Sequence, residues 1–440
     1  MFAYHLRLGL KSLKRNPVLT ALMIGAIGLG VGVCLTMLNV FYLVSGNPII
    51  HRNDVLYAVT MDGWNPAEPR DDDNPHLPPT ELTWREAQAV LASDIPDRTV
   101  VMHKGVFVVE PGDENSDVKP YIIEARLTPG DFFPMFDVPF QYGGGWDERA
   151  DANADAVVVL SKKTNDKVFG GENSVGRTVK LDEREYRVVG VLEDWRPVPK
   201  FYDLNNGSFD EIEEAFVPFG RSEMLETQTS GNTNCWKPEA VNSYREFLNS
   251  ECVWIQAWVE LGSTDEVTAF QTFLDGYVAE QKKLGRFQRP LNNRLTRVQQ
   301  WLVDNEVVSD DNRVLLGIAF MFLGVCLLNT VGLLLAKFSG AAAQVSLHRA
   351  LGASRGLVFR QHITEVGMVG LGGGVLGIGL GLLGLFGLRR LYNDYDDLTR
   401  LNWDVGLMAL GIALLAGIIA GLYPTWRIMR LQPAPYLKTQ

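Results

Sequence analysis

Residues 17–45 read PVLTALMIGAIGLGVGVCLTMLNVFYLVS, 29 positions without a charged side chain. A helix gains about 1.5 Å per residue and a bilayer core is about 30 Å thick, so roughly 20 residues are enough to cross it. This stretch crosses with about two turns left over. Working outward, the next apolar runs come only in the last third of the chain, at Val314–Ala336, Ile363–Leu388 and Val405–Tyr423, where Glu365 is the lone carboxylate and lies close to an end. The fold class that follows is an α-helical membrane protein of four membrane helices, with a large extracytoplasmic domain inserted between the first and second.

The division expected along the chain is a cytoplasmic amphipathic helix over 1–16, the first span and stalk over 17–45, the inserted domain over 46–312 and the second span over 313–336. A cytoplasmic loop at 337–362, the third span at 363–388, a short outer loop at 389–404, the fourth span at 405–423 and a cytoplasmic tail at 424–440 complete it. Orientation follows from short-segment charge, because Lys and Arg are retained on the cytoplasmic side while long loops translocate largely regardless of charge. Met1–Asn16 holds Arg7, Lys11, Lys14 and Arg15 without an acid. Residues 337–362 hold Lys337, Arg349, Arg355 and Arg360 without an acid, and 424–440 hold Arg427, Arg430 and Lys438 without one. Both termini are therefore expected inside, and the loop with Asp394, Asp396, Asp397 and Asp404 outside. The N-terminal run is too long for a secretory signal, whose apolar core is about 7–15 residues, and reads as an uncleaved signal anchor. Phe2, Leu6, Leu10 and Leu13, spaced as one helical face opposite the basic residues, suggest an interfacial helix on membrane lipid.

The overall charge of −11 hides an asymmetry, since Gly46–Arg313 carries 47 acids against 27 bases. An acidic domain stays soluble and repels nucleic acid and bare anionic lipid, so neither is expected as its ligand. Cys34 and Cys326 fall within spans, whereas Cys235 and Cys252 lie in the inserted domain, where an oxidising exterior would let them pair; two free buried thiols are the alternative. Neither their spacing nor the scattered histidines suggests a metal site, and no Ser/His/Asp or Cys/His constellation is spaced for catalysis.

Inside the domain, β-branched runs at Ala156–Leu160, Arg177–Leu181 and Tyr186–Leu192 alternate with turn residues, and helical periodicity appears at Thr83–Leu91 and Glu266–Lys283. The domain therefore reads as mixed α/β, large enough for two subdomains. Asn65–Pro79 and Gln228–Asn242 read as mobile loops. Residues 201–251 give no register.

From Arg126 onward the order is Ala-Arg-Leu-Thr-Pro-Gly-Asp-Phe-Phe, then Gly143-Gly-Gly145, Ala156-Val-Val-Val-Leu-Ser161, Val168-Phe-Gly170, Ser174-Val-Gly176 and Tyr186-Arg-Val-Val-Gly-Val-Leu192. This series resembles the MacB-like periplasmic core domain. Gln344-Val-Ser-Leu-His-Arg-Ala-Leu-Gly-Ala-Ser354, followed by Gln361 and Glu365, resembles the FtsX and MacB permease signature, and Gly421-Leu-Tyr-Pro424 with Leu431-Gln-Pro433 resembles its exit. Gln344 stands where that signature usually has Glu, Ser346 where it has Gly and His348 where it has Arg.

The resemblance implies the permease subunit of an ATP-binding cassette system of the mechanotransmission kind. In such systems two permeases and two ATPases assemble, and nucleotide-driven closure passes along stalk helices to the external domain. The leftover length of the first span suits a stalk, and Gln299–Arg313 suggests a similar extension of the second. The chain lacks a Gly-x-x-x-x-Gly-Lys-Ser/Thr loop to cradle phosphates, so ATP and Mg are expected on a separate ABC ATPase, with no cofactor on this chain. A short helix around Val345–Leu351, ended by Gly352, would then couple the two. Leu347, Arg349, Ala350, Leu351, Gly352, Ala353 and Ser354 are its candidate residues; without the signature the segment reads as a basic stop sequence. The partners implied are that ATPase, a second permease copy or a paralogous permease, and a periplasmic adaptor protein with an outer-membrane duct. The cell location implied is the bacterial inner membrane. Export of a peptide, antibiotic or lipid-like molecule is the leading function; lipoprotein release and control of a cell-wall hydrolase are the alternatives.

Gly379-Leu-Gly-Leu-Leu-Gly384 spells G-x-G-x-x-G, but it sits within a span with no strand before it. The glycines of this span suit close helix packing instead, with Gly370 and Gly374, Gly373 and Gly377, and Gly377 and Gly381 each four residues apart.

Overall fold

The computed structural model describes residues 15–111, 118–307, 310–391 and 403–430. Residues 1–14 of the amphipathic helix expected over 1–16, most of the outer loop and the tail beyond 430 lie outside these residues. The chain divides into two compact units, Gly46–Val307 and the sequence on either side of it.

Among the described residues the flanking unit has four helices long and apolar enough to cross a membrane: Pro17–Ser45, Asp310–Gly340, Arg355–Leu391 and Trp403–Met429. The first has the predicted bounds. The other three run further than their apolar stretches, because a helix continues wherever its backbone bonds do, whatever its side chains carry. The third begins at Arg355 rather than 363, so much of the expected loop 337–362 is helical. The fourth continues through Pro424 to Met429, and a proline there sacrifices one backbone bond without ending the helix. Of Gln299–Arg313, only Asp310–Arg313 prolong the second: a separate helix, Val298–Asp304, stops before Glu306, whose φ is 50°. The first helix lies against both the second and the third, and the fourth packs on the third.

The inserted unit is built on ten strands (β1 Leu56–Thr60, β2 Arg98–Pro111, β3 Tyr121–Thr128, β4 Phe140–Gly143, β5 Val157–Leu160, β6 Thr178–Leu181, β7 Arg184–Leu192, β8 Ala215–Pro218, β9 Gln256–Glu260, β10 Arg294–Arg297) in the order β10-β1-β9-β2-β3-β8-β5-β7-β4, with β6 between β2 and β7. The 14-residue β2 belongs to two halves: Arg98–Met102 pair with β9, and His103–Val109 pair with β3. In β1 successive side chains alternate, Leu56 and Ala58 toward one apolar core, Tyr57 and Val59 toward another, so both faces are covered. Helices Trp84–Leu91 and Thr264–Lys283 contribute to the second core. The longer one opens on a capping box, Ser263 with Glu266.

Part of the stretch without a readable register is buried, namely Phe201, Tyr202, Asp203 and Glu213. Phe201 and Tyr202 enter the aromatic core around Phe132 and Phe136. Asp203 and Glu213 both accept from the guanidinium of Arg126, which is fully buried; Asp203 does so at 2.6 Å. Lys200 Nζ lies 3.3 Å from Glu213, and Tyr202 donates its hydroxyl to the same carboxylate at 3.1 Å. Burial pushes the Glu213 carboxyl up, and the charges of Arg126 and Lys200 more than reverse that, holding it below the usual range. The two segments read as mobile are tied down. Arg289 donates to the carbonyls of Asn65 and Glu68, and Asn292 and Arg294 to that of His76. Cys235 is joined to Cys252, and Asn234 bridges to Val253 beside it.

Candidate coupling site

The second membrane helix ends at Gly340, and a single residue, Ala341, separates it from the helix Ala342–Ala350. So short a link turns the chain at once. The short helix closes on a tight C-terminal motif. Gly352 adopts φ 101°, its N–H donates to Arg349 O at 3.1 Å, and the N–H of Ala353 donates to His348 O at 3.0 Å. This is the paired 5→2 and 6→1 bonding that a left-handed residue after a helix allows, and glycine takes that backbone conformation without steric cost. Ser354 then opens the third membrane helix, its Oγ accepting from Leu357 N at 3.2 Å. Gly352, Ala353 and Ser354 thus shape a corner, in which Gly352 and Ser354 are exposed like Leu351 before them.

On the short helix, Val345 and Ser346 face the bundle while Ala343, Gln344, Leu347, His348 and Ala350 are exposed. Leu347 is 49% exposed and Leu351, four positions on, 78%. Side chains at this spacing share a face, so two leucines stand side by side in solvent. Arg349 points the other way, donating to the carbonyl of Met429 at the end of the fourth helix at 3.4 Å, where a cation also suits the helix dipole. Gln344 accepts from Arg15. The Ser346 hydroxyl is buried and finds no hydrogen-bond partner among the described residues.

Residues 20–273 match the family model described as the MacB-like periplasmic core domain, and residues 316–433 match the FtsX-like permease C-terminal model. The chain belongs to the MacB/FtsX-type ABC transporter permeases. It is 22% identical over 340 residues to the macrolide export ATP-binding/permease protein MacB of Syntrophobacter fumaroxidans, covering 71% of this chain and 46% of that protein. It is 23% identical over 385 residues to the pyoverdine export ATP-binding/permease protein PvdT of Pseudomonas aeruginosa, covering 87% of this chain and 50% of that one. The chain therefore spans about half the length of the curated relatives it matches. Among solved structures, the periplasmic region of MacB from Actinobacillus actinomycetemcomitans aligns with a TM-score of 0.37 at 11% identity, over 59% of this chain and 95% of that one.

Within this MacB/FtsX-type permease the glycines of the third helix divide between two neighbours. A Cβ on Gly370 would meet Ala413 O at 3.0 Å and one on Gly374 would meet Ala413 Cβ at 2.9 Å, both on the fourth helix. Gly377 and Gly381 instead receive Val31 and Leu35 of the first helix, where added Cβ atoms would fall 2.8 and 2.2 Å from side-chain carbons. These contacts lie within one bundle, and small residues there let helix backbones approach. Glu365, the lone carboxylate of the apolar runs, is buried and paired with Lys337 at 2.6 Å. That partner lies on another helix, and no local sequence signal connects the two.

Proposed function

We propose that this permease transmits the motion of a separate ABC ATPase, through the helix Ala342–Ala350, to its inserted domain, and that it works in the bacterial inner membrane with both termini cytoplasmic and the domain in the periplasm. The observation that carries this reading is the pair of solvent-facing leucines, Leu347 and Leu351, on a helix fixed at both ends to membrane helices. An amphipathic helix seated in an apolar groove is a recurrent docking mode. ATP and Mg would sit on the ATPase, and a second permease, identical or paralogous, would complete the assembly. Export of a peptide, antibiotic or lipid-like molecule through an adaptor and an outer-membrane duct fits best, because the relatives named above are exporters of macrolide and of pyoverdine. Lipoprotein release and hydrolase control share the architecture but have no such support.

The test is Leu351→Asp in the assembled complex. Seating a carboxylate in an apolar groove costs at least a few kcal/mol, whereas the side chain is free to hydrate in the unassembled chain. The variant should express and insert normally, yet fail to hold the ATPase or to stimulate its turnover. Full transport at normal expression would sink the proposal. Reporter fusions at Asn205, active only outside the cytoplasm, and at Gly340 and Gln440, active only inside, test the orientation.

A further inference from the structure

The two membrane helices that flank the coupling helix, Asp310–Gly340 and Arg355–Leu391, each pack along the first membrane helix, and their backbones make little contact with one another. Side chains join them near the corner. Lys337 Nζ lies 2.6 Å from Glu365 Oε1, each side chain only 4% exposed, and the same Nζ donates to Thr20 Oγ1 of the first helix at 3.4 Å. Next to Lys337, Phe338 meets the ring of His362 edge-on at 4.7 Å, while His362 Nδ1 is 2.9 Å from Val358 O. Leu334, Val358 and Val366 close around the group.

Such a pair is a poor device for stability alone. Desolvating two charges offsets most of their attraction, and apolar residues of similar volume hold a core as well or better. An ion pair among apolar side chains differs from them in being directional, since it fixes two helices at one register and no water stands ready to replace it. We propose that Lys337 and Glu365 form a clasp that binds the first, second and third membrane helices into one moving body with the coupling helix. They are positioning residues: neither faces the exposed leucines, and both set where those leucines go when the ATPase moves. The role in transmission rests on the function proposed above.

The experiment uses the full chain in lipid nanodiscs, with spin labels on Val18→Cys and Ala343→Cys, both exposed and apart from the docking leucines, reporting the distance from the first helix to the coupling helix. The unaltered pair should give one narrow distribution. Lys337→Met with Glu365→Leu, which keeps the core filled, should broaden it, and the exchanged pair Lys337→Glu with Glu365→Lys should narrow it again. With the ATPase present, the apolar pair should retain association but lose stimulated turnover by at least about fivefold, the lower end of an ordinary coupling between sites, and the exchanged pair should recover it. A narrow distribution and full stimulation in the apolar pair would mean that packing alone positions the helix and would overturn the clasp. An exchanged pair as broad as the apolar one would overturn the pairing. Failure of the unaltered chain to bind any ATPase would strike the proposed function instead, while the distance measurement, which needs no ATPase, still decides the clasp.

Discussion

Replacing Leu347 and Leu351 together by Ala tests the docking surface without introducing a charge. Each change removes three carbons, about 2.4 kcal/mol at about 0.8 kcal/mol per buried methylene. Only area that is exposed before docking is available to be covered by it. Scaling by the 78% exposure of Leu351 and the 49% exposure of Leu347 leaves about 1.9 and about 1.2 kcal/mol, together about 3 kcal/mol. That corresponds to roughly a hundredfold weaker Kd for the ATPase. Alanine is also the best helix former, so the helix itself should persist. The assay is titration of purified ATPase onto the chain in nanodiscs, with each single variant measured beside the double, since neighbours four residues apart on one face need not add. A change below about threefold, under 1 kcal/mol, with the complex otherwise intact, would show that these leucines remain in solvent and that the ATPase is held elsewhere.

Arg126→Met should strand Glu213 and Asp203 in the interior, costing about 3–5 kcal/mol and lowering the melting temperature by roughly 6–15 °C in tryptophan-fluorescence melts. Because the folded Glu213 carboxyl lies below its unfolded value of 4.5, its contribution is present above that pH and is lost as the pH falls toward the folded value; the gap between wild type and variant should be widest near neutrality and shrink on acidification, and a constant gap would refute the assignment. Cys235→Ser with Cys252→Ser removes a link across a sequence separation of 17, which in the chain-entropy model contributes about 3 kcal/mol. Hydrogen exchange over 228–242 should rise, and unchanged exchange would mean that the Asn234–Val253 bridge suffices. Gly417→Ala would place a Cβ 2.8 Å from Gly370 Cα, backbone against backbone, so the third and fourth helices must part. A loss of about 1–3 kcal/mol is expected, and a melting temperature equal to wild type would show that the bundle yields there freely.

Much of this was legible in the sequence, for reasons that differ from residue to residue. Apolar length is a one-dimensional property, so the four membrane helices and the domain between the first and second could be read directly. Their ends could not, since Arg355 and His362 extend a helix that hydropathy alone stops at 363. The strands Val157–Leu160 and Arg184–Leu192 announce themselves through β-branched runs. Residues 201–251 carry no such pattern, because Asp203 and Glu213 act through Arg126, far along the chain; the Cys235–Cys252 link, 17 positions apart, was readable from the two cysteines. At the corner, Gly352 marks the end of the short helix and was readable, whereas the start of the next helix after Ser354 was not. The Lys337–Glu365 pair was not, since 28 positions and an intervening turn separate two residues that meet only over the surface of a third helix.

The first membrane helix fits the third so closely that Thr36 Oγ1 reaches Gly381 O at 3.4 Å across 345 positions of chain. At a synthesis rate of about 5–20 residues per second, that partner leaves the ribosome roughly 20–70 s after the first helix. Through that interval the small-residue faces at Gly28 and Gly32, which later receive Leu376 and Leu380, have only lipid beside them. The inserted domain emerges and builds its own cores meanwhile. Biogenesis therefore runs from the outside in: the soluble body is complete while the membrane bundle is still a single helix, and substitutions that roughen the glycine faces should appear first as defects of assembly and turnover in the cell.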